Sequence, residues 1–226
     1  MTTFAAPKID SNIHHMSLFG DQLGVEKYLS ESQDADVNER DIYNRTALHW
    51  AAKGGKDNVC KFLISKEADP NAIDANGLTP LLHAALCGHE TTVKALVDLG
   101  GDASITQTNG NSAMHHACSK GILGMVQNLE ANKGDLSCVN NVGMTPCHTS
   151  VMNGHVVIVR YIIKQGAAFD KPNKSGETPL HLACKCGFSV IVKTLIDACA
   201  DVSVTNKDGK SPKDVSLTDK TAACFE

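Results

Sequence analysis

The chain has 226 residues, a net charge of −4, 42% apolar residues and 4% aromatic ones. The acidic balance argues against a nucleic-acid binder, and no run reaches the roughly 20 apolar residues that a membrane helix needs. Nine cysteines are present, an odd number, and residues 1–7 form a short, uncharged start without a signal-peptide pattern. Free thiols in a reducing compartment, the cytosol or the nucleus, are therefore expected.

In chain order, residues 1–12 read as a poorly ordered lead-in. Residues 13–40 form a degenerate first unit. Its Val25, Tyr28 and Leu29 match Val59, Phe62 and Leu63 of the next unit, and Asp36-Val37-Asn38 matches Asp69-Pro70-Asn71. Its first-helix motif is missing. Asp21, Gln22, Glu26 and Lys27 are polar, as expected of a cap with one face in water.

From Thr46 onward one segment returns every 33 residues: Thr46-Ala47-Leu48-His49, Thr79-Pro80-Leu81-Leu82, Ser112-Ala113-Met114-His115, Thr145-Pro146-Cys147-His148 and Thr178-Pro179-Leu180-His181. Full units are expected at 41–73, 74–106, 107–139, 140–172 and 173–205. The unit 74–106 sets the pattern. Asp74-Ala75-Asn76-Gly77 predicts a turn, Thr79 a helix cap, and Pro80 the first helical position, where no N–H is needed. Gly88 predicts a left-handed stop. A second helix then runs from about Glu90 to Leu99, with Val93, Leu96 and Val97 as its apolar stripe. Asn44 stands where the other turns carry glycine. The unit 107–139 reads as weak, a hinge or fraying point, because Gly124, Asn128 and Glu130 occupy its second helix. Residues 206–226 read as a truncated cap, with a helix near 213–217 and with Ala222, Ala223 and Phe225 over the last layer.

Ten histidines and nine cysteines invite a metal site, but the spacing argues against one. His49, His115, His148 and His181 share one position of the period. His83 and His116 share the next, and His89 and His155 share the start of the second helix. Only His14 and His15 fall outside the pattern. Cys184-x-Cys186 is too close for a zinc-binding pair. No catalytic or phosphate-loop motif occurs. No metal, cofactor or enzymatic activity is expected.

The constant period and the T-P-L-H-x-A core, in five registered copies, resemble the ankyrin repeat. That resemblance implies an all-α, single-domain solenoid of stacked helix-turn-helix units with β-hairpin tips, spanning 1–226 and monomeric. It implies that the repeated imidazole bonds to the neighbouring loop backbone. It also implies a concave groove for a protein partner, lined by Ile42, Tyr43, Arg45, Lys53, Leu78, Leu86, Asn109, Asn111, Lys120, Met144, Met152, Lys174, Glu177 and Lys185. With Lys207, Asp208 and Lys210 added, seven tip and groove residues are basic and two acidic. Tyr43, Leu78, Leu86, Met144 and Met152 are expected as exposed apolar anchors. The expected partner is a protein with an acidic surface, not nucleic acid and not a membrane.

Within the family, the run Arg45-Thr46-Ala47-Leu48-His49-Trp50-Ala51, the pair Ser119-Lys120 and Leu180-His181-Leu182-Ala183-Cys184 are similar to gankyrin-type chaperones of the proteasome regulatory particle. Their resemblance implies a proteasomal ATPase C-terminal domain as partner. Cys186 replaces the glutamate of an L-x-C-x-E segment, which argues against retinoblastoma-type binding there. The alternatives are an adaptor or inhibitor of a kinase or transcription factor and, more remotely, a metal- or thiol-dependent enzyme. Asn38 and Asn71 lie at the tip position where many family members are hydroxylated.

Overall fold

The computed structural model describes residues 12–31 and 35–226. Apart from Asn12, the expected lead-in lies outside the described residues. The chain divides into two compact units, one ending at Asp102 and the other spanning Ala103–Glu226.

The first unit holds three helix pairs: α1 (Ile13–Phe19) with α2 (Gln22–Glu31), α3 (Ala47–Lys53) with α4 (Asp57–Ser65), and α5 (Pro80–Cys87) with α6 (Glu90–Asp98). First helices pack on first helices and second on second, so α1, α3 and α5 form one layer and α2, α4 and α6 the other. Helix α1 forms although its unit lacks the repeated motif. Asn12 supplies the cap, accepting from the His15 N–H at 2.8 Å. Ile13 is fully buried, so one apolar side chain and one cap replace the absent segment.

The second unit continues the arrangement with α7 (Ala113–Lys120), α8 (Leu123–Ala131), α9 (Pro146–Met152), α10 (Val156–Lys164), α11 (Pro179–Cys186) and α12 (Ser189–Asp197). Here α7, α9 and α11 form the first-helix layer, and α10 packs on α12. Leu81, Met114, Ile158 and Leu180 are buried to 1% exposure or less within their own layers. Gly121, which stops α7, has φ of +71°, and a Cβ there would sit 2.5 Å from the His155 ring. Both conformation and space therefore require glycine at that stop.

The tips differ from expectation. Among the described residues there is no strand, only an isolated antiparallel bridge between Thr106 and Ser112. A side chain does the work of strand pairing. Asp74 accepts from the backbone N–H groups of Asn76 and Leu78 at 2.8 and 2.9 Å. Asn140 does the same for Val142 and Met144 at 3.1 and 2.9 Å. Such an Asx turn closes in so few residues that no ladder can form. Within each unit successive tips are tied by backbone: Ala75 N–H donates to the Tyr43 carbonyl, and Lys174 N–H to that of Val142, both at 3.0 Å. Asn44 adopts φ of +62°, as its turn position requires.

The C-terminal cap also departs from expectation. Residues 212–215 form a turn, and no helix forms over 213–217. The Leu217 N–H donates to the Cys184 carbonyl at 3.0 Å, which turns the chain back toward the end of α11. A short helix, α13 (Asp219–Ala222), follows, capped by Thr218, and then a 3₁₀ turn at Ala223–Phe225. Ala222 and Phe225 are half-buried, whereas Ala223 is exposed. Two of the three residues expected over the last layer thus help to cover it.

Candidate protein-binding surface

The repeated threonine or serine and the imidazole three residues on position every first helix that carries both. In α9 the Thr145 N–H donates to His148 Nδ1 at 3.0 Å. With Nδ1 accepting, Nε2 carries the proton and donates to the Glu177 carbonyl at 3.1 Å. The same link runs from His49 to Leu78 at 3.0 Å, from His115 to Met144 at 2.9 Å and from His181 to Lys210 at 3.1 Å. The imidazole ties each of these helices to the tip 29 residues on. Burial pushes the His49 and His148 rings down to about 4. His89 and His155, at the starts of α6 and α10, reach back to the Lys53 and Ser119 carbonyls at 3.0 and 2.8 Å. Leu82 replaces the imidazole in 74–106 and is buried in the core.

On this frame the first unit presents a cationic, aromatic cluster. Asp41 organises it, accepting from the backbone of Tyr43 and Arg45 and from Trp50 Nε1 at 2.8, 2.9 and 3.0 Å. The Arg45 guanidinium lies between two rings, 4.6 Å from the Tyr43 centroid and 4.8 Å from that of Trp50. Lys53 Nζ approaches the Trp50 ring at 4.9 Å. Arg45, expected to line the groove, keeps only 15% exposure of its side chain. Its Nε is buried without a hydrogen bond and sits 3.8 Å from the buried Asp74 carboxylate. That carboxylate takes a 2.9 Å contact from His83. Tyr43 leaves the cluster half open at 51% exposure, and Ile42 beside it is 91% exposed.

Leu78 is a further correction. It was expected as an exposed anchor but is buried at 8%, because the Asx turn at Asp74 folds its backbone back toward α3. Leu86, at 39%, is exposed.

In the second unit, Met152 and Val142 are exposed at 49% and 56%, while Met144 is half-buried. Asn109 is exposed and accepts from the Asn111 N–H at 2.9 Å, while Asn111 accepts from Asn140 at 2.8 Å. These two shape their tip more than they offer free groups. Glu177 and Lys185 are brought together at 2.7 Å, so this cation is already paired. Lys120 and Lys174 are exposed and make no ion pair among the described residues. Trp50, Asp41 and Asp74 complete the first unit's cluster and were absent from the sequence-derived set. The Asp-x-x-x-Arg spacing of 41–45 was the available signal.

Among the described residues, no three His, Cys, Asp or Glu side chains gather as a metal-ligand set. No described helix is long and apolar enough to cross a membrane. All nine cysteines are free.

Capped helix pairs on a 33-residue spacing, tied tip to tip within each unit, define a repeat protein. The family model described as ankyrin repeats (3 copies) matches residues 13–108, 67–137 and 114–208, and the chain belongs to that family. Ankyrin-repeat domains are in general non-catalytic scaffolds for protein–protein interaction. The human ASB11 ankyrin repeat domain is 24% identical, covers 98% of this chain and 97% of its own, and superposes with a TM-score of 0.85. The ankyrin repeat domain of Bcl-3, described as a unique member of the IkappaB family, is 24% identical, covers 96% and 98%, and gives 0.82. Both share the fold. No curated protein matches the chain.

Proposed function

We propose that this chain is a non-catalytic scaffold that binds an acidic protein surface through the cations and apolar groups of its tips and first helices. The observation that supports it most directly is the Arg45 sandwich between Tyr43 and Trp50. A guanidinium held between two rings has lost its side-chain freedom before binding. A partner carboxylate that reached the 15% of this side chain left exposed would share the guanidinium with Asp74 and gain the ion pair without the usual ordering cost. Lys53, Lys120 and Lys174 add exposed charge, and Tyr43, Leu86 and Met152 add exposed apolar area. In its finer form the reading is a gankyrin-like chaperone that holds the C-terminal domain of a proteasomal ATPase subunit. The Arg45–Ala51 run and Ser119-Lys120 support it. Residence in the cytosol or nucleus, as a monomer, belongs to the same reading.

The test is capture of partners from cell extract with the full chain, identified by mass spectrometry. Tyr43→Ala, Lys53→Glu and Lys120→Glu are compared with the parent, the lysines being reversed because deleting one exposed charge costs too little to lose a partner on capture. A proteasomal ATPase that is lost with these variants supports the finer reading. A kinase or transcription factor lost with them supports an adaptor or inhibitor instead. A partner retained by all three removes the tips and first helices as the binding surface.

A further inference from the structure

A second set of cations lies on the second helices of the repeats. Lys61, Lys94, Arg160 and Lys193 recur at one position of the second helices, interrupted only by Gln127. All four are exposed. A basic residue repeated on a solvent face is ordinary for a surface helix. The end of the second unit differs, because there the charges surround a concavity. Arg160 of α10, Lys193 of α12 and Lys220 of α13 line one depression of about 410 Å³. None of these three makes an ion pair among the described residues. Asp197 is the one carboxylate in the lining, so the depression carries a net charge of about +2.

Its other polar groups are mostly spent. Thr194 Oγ1 donates to the Val190 carbonyl at 2.8 Å, and the Cys224 thiol faces the Ser189 and Lys220 carbonyls at 3.7 and 3.3 Å. The charges are what remains to be satisfied.

We propose that this depression binds a phosphorylated side chain of a partner protein, with its phosphate among Arg160, Lys193 and Lys220 and its stem against Val190. A phosphate monoester carries about −1.5 to −2 at neutral pH, which matches the surplus charge better than one carboxylate does. The planar guanidinium of Arg160 suits a phosphate face. A concave site accepts an inserted group, whereas a bilayer presents a flat one. No aromatic side chain lines the space, so stacked bases have no platform.

The test uses the full chain and fluorescence anisotropy. The probes are a fluorescein-labelled pentapeptide with a central phosphoserine among alanines, and its unphosphorylated twin. The phosphopeptide is expected to bind at least about tenfold more tightly, with affinity falling as salt rises. Lys193→Glu and Lys220→Glu are each expected to raise its Kd about tenfold or more. Arg160→Lys is expected to cost several-fold through loss of the fork. Lys94→Glu, at the same repeat position but not in the lining of the depression, is expected to change nothing.

Equal binding of the two peptides, no saturable binding up to about 1 mM, or an equal loss with Lys94→Glu would each overturn the proposal. So would binding to phosphatidylcholine vesicles doped with a phosphoinositide, lost in the same variants, when the phosphopeptide is ignored. None of the variants touches Tyr43, Lys53 or Lys120, so this failure would leave the tip surface untested and standing.

Discussion

At the residue scale the repeated imidazole explains both the period and a pH dependence. Its position was legible in four registered copies, and its backbone partner was what the resemblance to the ankyrin repeat implied. The other end of the ring was not legible. Nδ1 accepts from the cap N–H, at 3.0 Å in both His49 and His148, so protonating it would turn an acceptor toward a donor. The rings of His49 and His148 titrate at about 4, below their ordinary 6.5, because burial disfavours the charge. Between those values the unfolded chain binds more protons than the folded one. Stability is therefore fully present above about pH 6.5, falls as the pH drops toward 4, and levels off below it. Each ring adds a slope of up to about 1.4 kcal/mol per pH unit in that window. Urea midpoints measured from pH 7.5 to 4 check this, and His148→Gln should flatten the curve while lowering stability by about 1–3 kcal/mol. His116 is a different case. Its ring is buried, titrates at about 4, and has no partner for Nε2 among the described residues. In the preceding repeat Asp74 serves His83, and Gln107 stands in the place of that aspartate. His116→Leu should therefore raise the urea midpoint, by about 1 kcal/mol of stability.

At the element scale, α8 shows where a one-position reading of polarity fails. Its Gly124, Asn128 and Glu130 mark it as weak, yet the helix forms over its full span. Glu130 is not an orphan, since it accepts from the Tyr161 hydroxyl on α10. Tyr161 lies 31 residues on, at the repeat position of Asn128, so the pair crosses positions that a column-by-column comparison treats separately. Asn128 is the weak point, because its Oδ1 is buried without a partner. Asn128→Leu should stabilise by about 1–2 kcal/mol, while Glu130→Leu should gain little or lose, since it leaves the tyrosine hydroxyl unpaired. Denaturation of the two single variants separates these outcomes. If the helix remains the least stable element of its unit, its amides exchange fastest there, and the Asn128 variant slows them.

At the scale of the whole molecule, the issue is how an acidic chain presents cations. The sequence made the cationic tip positions visible, but it did not show which of them are free. Arg45 is held by two rings and faces Asp74, Lys185 is paired with Glu177, and Lys53, Lys120 and Lys174 remain exposed. The difference predicts two kinds of variant. An exposed lysine with no fixed partner in the free protein acts at long range and is screened. Lys120→Ala should cost about 0–1 kcal/mol of affinity for the captured partner, mainly through slower association, and the cost should vanish at high salt. Arg45 is part of the packing. Arg45→Ala removes two ring contacts and leaves Asp74 without its nearby guanidinium, so it should lower stability by about 1–3 kcal/mol as well as affinity. Arg45→Lys keeps the charge but not the planar stack, and it should recover little of either. Binding and urea unfolding measured on the same four proteins decide the matter. If Arg45→Ala weakens binding while the unfolding midpoint stays unchanged, the sandwich serves only the partner. If it lowers the midpoint and leaves affinity intact, the sandwich is a strut for its tip, and the acidic partner proposed above would have to meet the exposed lysines alone.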